Sequence, residues 1–220
     1  MKLLIFPGGG NPDTTLYAKV YGLLTDHAHD YGYSGVDVSV RWPGHTREAD
    51  SGEALTLRGA YESAQRVLHT YEEEGKPYDI LARSFGTYVA LKVAARTDVS
   101  HLRRVLLWGS PPYWQVWELF TRDLNDTQAI ARSKGLLVDD SFFPSLEPIE
   151  SLLKAAHHTV VVATGADDKY STPEFHTYLM SCAKGQHNVW FRPVIAGAPH
   201  EVTADLPTDV VSNYLTTLLG

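Results

Sequence analysis

Apolar residues fall along this chain in two alternating patterns. Short, nearly uninterrupted runs at Leu3–Phe6, Val36–Val40, Ile80–Arg83, Val105–Trp108, Val160–Ala163 and Val189–Val194 predict strands. Between them the apolar spacing becomes helical. Leu57, Ala60, Tyr61, Ala64, Leu68 and Tyr71 share one helical face, and Leu16–His27, Val89–Ala94 and Val210–Leu218 repeat the pattern. Pro173 and Glu174, after Ser171-Thr172, mark a further helix start. Strand followed by helix, six times over, predicts right-handed βαβ units. Runs without polar alternation fit strands covered on both sides. The expected fold is α/β, a mostly parallel six-stranded sheet with helices on both faces.

One segment breaks the alternation. Residues 110–153 open with Pro111-Pro112 and hold Tyr113, Trp114, Trp117, Phe120, Phe142 and Phe143. The segment reads as a small helical cap inserted into a single domain of residues 1–220.

Composition narrows the class. A chain of 220 residues with 44% hydrophobic and 20% charged positions can bury a sizeable core without staples. Nineteen Lys and Arg against 26 Asp and Glu give a net charge of −7, which argues against nucleic acid and anionic membranes as partners. A single cysteine, Cys182, excludes an internal disulfide and a cysteine-rich zinc site. It reads as a small buried hydrophobe in a reducing compartment. No run approaches the ~18 apolar residues of a membrane span. These features predict a soluble, cytoplasmic protein with a small-molecule substrate. No metal site and no cofactor motif stands out, since neither a His-x-x-x-His pair nor a dinucleotide fingerprint is present.

In parallel sheets, ligands bind beyond the carboxyl ends of the strands, so the residues following each strand carry the chemistry. Ala82-Arg83-Ser84-Phe85-Gly86 runs directly from a strand into a helix. Small flanking residues permit the sharp turn that exposes a serine hydroxyl. Thr164-Gly165-Ala166-Asp167-Asp168 and Ala196-Gly197-Ala198-Pro199-His200 follow two later strands. Serine, acid and histidine thus occur in that order at one sheet edge.

With these residues the sequence resembles the α/β-hydrolase superfamily, over nearly the whole chain. Pro7-Gly8-Gly9-Gly10 is similar to its oxyanion turn, with Pro in place of His. Trp42-Pro43-Gly44-His45 is similar to its Pro-Gly-His-Gly turn, and Gly165–Asp168 and Gly197 match the acid and histidine loops. The family's first two strands are missing, which implies a short version of the fold. The resemblance implies Ser84 as nucleophile, His200 as base and Asp168 as the acid. The backbone N–H groups of Gly9 and Phe85, with Gly10 beside them, would form the oxyanion hole. Tyr113, Trp114, Trp117 and Phe120 would line the substrate pocket. The implied activity is cleavage of an ester or thioester of a small or medium acyl group. A type II-like thioesterase acting on carrier-bound acyl groups is an alternative, as is a non-hydrolytic receptor, lyase or cyclase on the same fold.

Each residue also has a plainer reading. Ser84 fits a helix cap, His200 a surface loop, and Gly8–Gly10 an ordinary turn. Asp167 and Asp168 compete, and only the family spacing favours Asp168. His45 reads as a turn residue, Glu72–Glu74 as a solvated helix end, and the cap aromatics fit core as well as pocket wall. Arg83, at a strand end, calls for a partner, either a carboxylate beneath the turn or an anionic substrate group.

Overall fold

The computed structural model describes residues 1–9, 15–43, 55–112, 145–200 and 207–220. The strands are β1 (Lys2–Phe6), β2 (Gly35–Asp37), β3 (Tyr78–Arg83), β4 (Leu102–Trp108), β5 (Thr159–Ala163), β6 (Gly165–Asp167), β7 (Val189–Phe191) and β8 (Ile195–Pro199). The helices are α1 (Thr15–Asp30), α2 (Leu57–Glu74), α3 (Gly86–Ala94), α4 (Ile149–Ala155), α5 (Pro173–Cys182) and α6 (Thr208–Leu219).

Six strands form one sheet in the order β2-β1-β3-β4-β5-β7, and every pair is parallel. All six predicted strands are in it. Val38–Val40 and Arg192–Val194 lie outside the strands, so the second and last are shorter than the apolar pattern suggests. The pattern did not reveal β6 and β8, which pair with each other as a separate parallel two-stranded sheet.

The sheet is buried on both faces. Phe6, Ile80, Ala82, Val105 and Leu107 pack in one core with residues of α2, α3, α4 and α5. Leu3, Ile5, Leu81, Leu106 and Trp108 pack in the other with residues of α1 and α6. Period-2 side-chain alternation divides each strand between these cores. The predicted face of α2 is the buried one, with Leu57, Ala60, Ala64 and Leu68 inside and Tyr61 and Tyr71 packed at its margin. Thr56 caps its start by accepting the Gly59 N–H at 3.0 Å, and Thr172 caps α5 by accepting the Phe175 N–H, ahead of Pro173. Helix α3 is apolar almost all round because it is covered on all sides.

Helix α4 closes the segment 110–153, and its Ile149, Leu152 and Leu153 enter the core. Residues 113–144 lie outside the described residues. Cys182 is half-buried, so it is not the buried hydrophobe expected; it ends α5, where the chain turns back toward solvent. At the amino-terminal edge of the sheet, fully buried Asp79 accepts from Tyr33 Oη, from Arg103 Nε at 3.1 Å and from Arg104 Nε at 2.7 Å. Burial, and then the Asp79 charge, push the Tyr33 phenol well above its ordinary range. This ionic cluster lies at the opposite end of the strands from the turns that follow β1, β3 and β5.

Candidate active site

The turn after β3 is strained. Ser84 has φ 50°, the one positive φ outside glycine among the described residues. Such a conformation costs an L-residue roughly 1–2 kcal/mol. The strain is held from both sides: the Ser84 N–H donates to the Trp108 carbonyl at 3.0 Å, and the Ser84 carbonyl accepts the Thr87 N–H at 2.9 Å. Gly86 completes the turn by lack of bulk. A Cβ there would stand 2.4 Å from the Pro7 carbonyl oxygen and 2.6 Å from that of Phe6. Helix α3 therefore starts directly against the end of β1, and Ser84 lies beside the Pro7–Gly9 turn.

Ser84 and His200 are 116 positions apart in sequence, yet Ser84 Oγ lies 2.8 Å from His200 Nε2. His200 Nδ1 lies 2.9 Å from Asp168 Oδ2. A carboxylate only accepts, so Nδ1 carries the proton, and Nε2 presents its lone pair to the serine hydroxyl. Asp168 is fully buried. Its other oxygen, Oδ1, accepts the N–H groups of Tyr170 at 2.9 Å and Ser171 at 2.6 Å. Thr164 Oγ1 donates to the Ser171 carbonyl at 2.6 Å and closes this loop. The Tyr170 ring meets the His200 ring edge-on, with centroids 5.0 Å apart. Asp167 is exposed and sits in the β6–β8 ladder opposite Pro199. Of the two adjacent carboxylates, Asp168 faces the imidazole and Asp167 does not.

Gly109, at φ 61°, passes behind this pair. A Cβ there would stand 2.9 Å from Asp168 Oδ2 and 3.2 Å from His200 Nδ1. Both the backbone angle and the space require glycine.

The turn after β1 is fixed by a residue to which the sequence argument gave no role. Trp42 Nε1 donates to the Pro7 carbonyl at 3.0 Å, and its ring meets Phe6 and Phe85 edge-on at 5.6 and 6.1 Å. Trp42 thereby ties the Pro7 turn to Phe85, the residue after Ser84. Gly10, His45, Tyr113, Trp114, Trp117 and Phe120 lie outside the described residues.

Arg83 reaches across to the histidine loop. Its Nη2 donates to the backbone carbonyl of His200, and its guanidinium lies over the Trp108 ring, 5.9 Å from the centroid. Trp108 stacks on Tyr214 of α6 at 4.4 Å. Burial, followed by the Asp168 charge, raises the Tyr214 phenol well above its ordinary value, and the Arg83 charge opposes this.

Among the described residues, no three or more His, Cys, Asp and Glu side chains gather into a metal-binding group, and no helix is long and apolar enough to cross a membrane. No protein-family model and no curated protein matches the chain. Solved structures do match it. The esterase domain of a Rhodothermus marinus protein superposes with a TM-score of 0.63 at 16% identity, over 97% of this chain and 82% of that one. A monoacylglycerol lipase from Paleococcus ferrophilus gives 0.58 at 17% identity, over 98% and 94%. An extracellular alpha/beta-hydrolase from a Paenibacillus species gives 0.60 at 14% identity, over 99% and 98%. At such identities the likeness speaks to architecture, and with the six-stranded parallel sheet it establishes that this chain has the α/β-hydrolase fold.

Proposed function

We propose that the protein is a serine hydrolase that cleaves an ester or thioester of a small or medium acyl group through an acyl-enzyme. The observation that carries this reading is the continuous path from Ser84 Oγ to His200 Nε2 at 2.8 Å and from His200 Nδ1 to Asp168 Oδ2 at 2.9 Å. A neutral serine is a weak nucleophile and needs an adjacent base. In this mechanism His200 takes the Ser84 proton as Oγ attacks the acyl carbon, then returns it to the leaving group. Water, deprotonated by His200, next attacks the acyl-enzyme and frees the acid and Ser84. Asp168 holds the imidazole tautomer and stabilises the imidazolium. The N–H groups of Gly9 and Phe85 receive the oxyanion, helped by the amino-terminal dipole of α3.

Strain at Ser84 favours this role over a cap. A cap residue sits in the extended region, as Thr56 and Thr172 do, and needs no left-handed backbone. On the sequence argument, the acyl pocket is assigned to Tyr113, Trp114, Trp117 and Phe120.

A fluorophosphonate, which phosphonylates an activated serine, tests the reading. Wild type should label at Ser84 as located by mass spectrometry, and S84A should neither label nor turn over p-nitrophenyl esters. Labelling elsewhere, or none, overturns the assignment. Absence of labelling would favour a non-covalent use of the same fold.

A further inference from the structure

Three turns bearing the proposed chemistry, far apart in sequence, meet here: Pro7–Gly9 after β1, Ser84 after β3 and His200 after β8. One side chain reaches from the second of these to the third. Arg83 immediately precedes Ser84 on β3. Its Nη2 donates to the His200 carbonyl, and its Nη1 lies 3.7 Å from where a Cβ on Gly8 would stand. Its cross-strand neighbour Trp108 supports the guanidinium from below and rests on Tyr214.

We infer that Arg83 is a positioning residue. It sets the main chain of the base at a fixed distance from the nucleophile. The inference rests on the hydrolase reading above. Two devices hold His200, and they act on different parts of it. Asp168 and the Tyr170 edge fix the ring. Arg83 fixes the peptide from which the ring hangs.

Guanidinium suits this task because it is planar, always charged and carries its donors in a rigid fork, so it can hold a carbonyl at its edge while its face rests on a ring. Stacking on an indole reduces the cost of taking the charge from water. A base held in place before reaction needs no reorganisation as the proton moves, and such preorganisation acts chiefly on the transition state. Misplacement of a base by a fraction of an ångström is costly for the same reason. A residue that binds a substrate anion would act on KM instead.

The test compares wild type with R83M and R83K as full chains. Measured are the second-order rate of fluorophosphonate labelling at Ser84, kcat and KM for p-nitrophenyl acetate, and thermal melting. Arg83→Met keeps the unbranched stem and removes the charge and donors. It should lose about 10–100-fold in both labelling rate and kcat, with KM nearly unchanged. Arg83→Lys restores a charge and one donor and should recover part of both rates. If wild type itself does not label, the hydrolase reading fails. If wild type labels and R83M labels at the same rate, the positioning role alone is overturned, whatever happens to the melting temperature. A rise confined to KM also overturns it, in favour of substrate binding. Should R83M not fold, R83Q decides by the same comparison: a reduced labelling rate supports the role and a wild-type rate overturns it.

Discussion

Gly165 and Ala198 lie so close that a Cβ on Gly165 would stand 1.8 Å from the Ala198 carbonyl oxygen. This approach allows β6 and β8 to pair, with Gly165 opposite Ile195 and Asp167 opposite Pro199. The residue after each strand, Asp168 and His200, is then carried to one place. Gly165→Ala should force the two strands apart. We expect a loss of roughly 1–3 kcal/mol in stability, with a larger proportional loss of fluorophosphonate labelling. Urea unfolding and labelling rates check both, and a stable, fully reactive G165A would show that the pairing does not set the site.

The positive φ of Ser84 can be weighed directly. Glycine tolerates this conformation but has the larger unfolded-state entropy, a cost of roughly 0.5–1 kcal/mol relative to alanine. Relief of roughly 1–2 kcal/mol of strain should outweigh it. Ser84→Gly is therefore expected to be at least as stable as Ser84→Ala in chemical denaturation, while both are inactive. A clearly less stable glycine variant would mean that the turn holds no strain.

Adjacent carboxylates make an internal control. Asp168→Asn should lower kcat by about 10³–10⁴-fold, because the imidazole loses its orienting charge. Asp167→Asn, at an exposed position, should change kcat by less than about 3-fold. Steady-state kinetics on one chromogenic ester separates the two, and the reverse ranking would move the acid by one residue.

His176 in α5 gives a pH dependence of stability. It is buried, its Nε2 donates to the Arg192 carbonyl at 3.1 Å, and its ring packs on Phe191. Burial lowers its pKa below the ordinary value. The unfolded chain thus binds a proton that the folded one resists as pH falls through about 6.5, so this contribution is present above that pH and is lost below it. His176→Gln keeps a donor for the Arg192 carbonyl and removes the titration. Its unfolding free energy should fall less steeply than that of wild type between pH 7 and pH 5, and parallel slopes would exclude His176 as the source.

The acyl-pocket assignment predicts a chain-length effect. Trp114, Trp117 and Phe120 recur at helical spacing in the sequence, on a segment that begins next to the strand after Ser84's. Short and medium p-nitrophenyl esters should be preferred to long ones, because 44 residues make only a small lid. Trp117→Ala should alter that profile more than it alters the melting temperature. A collapsed melting temperature with an unchanged profile would make Trp117 ordinary core.

The sequence by itself determined the order and identity of the main elements. Apolar runs and helical faces are local signals, and they sufficed for six parallel strands and for the position of Ser84 between β3 and α3. They also placed Asp168 and His200 in the segments after β5 and β7, though only a family resemblance preferred Asp168 to Asp167. Tertiary structure decided the rest. Strands β6 and β8, Gly-Ala-Asp and Ile-Ala-Gly-Ala-Pro, carry no strand pattern, because close backbone approach forms them where side-chain burial formed the others. Trp42 and Tyr170 look like any apolar residue at a strand or loop end until their partners on distant segments are known. Arg83 shows the limit most clearly. It donates to a main-chain carbonyl 117 positions away. Every residue has a carbonyl, so no pattern in the sequence can mark the one that packing brings within reach.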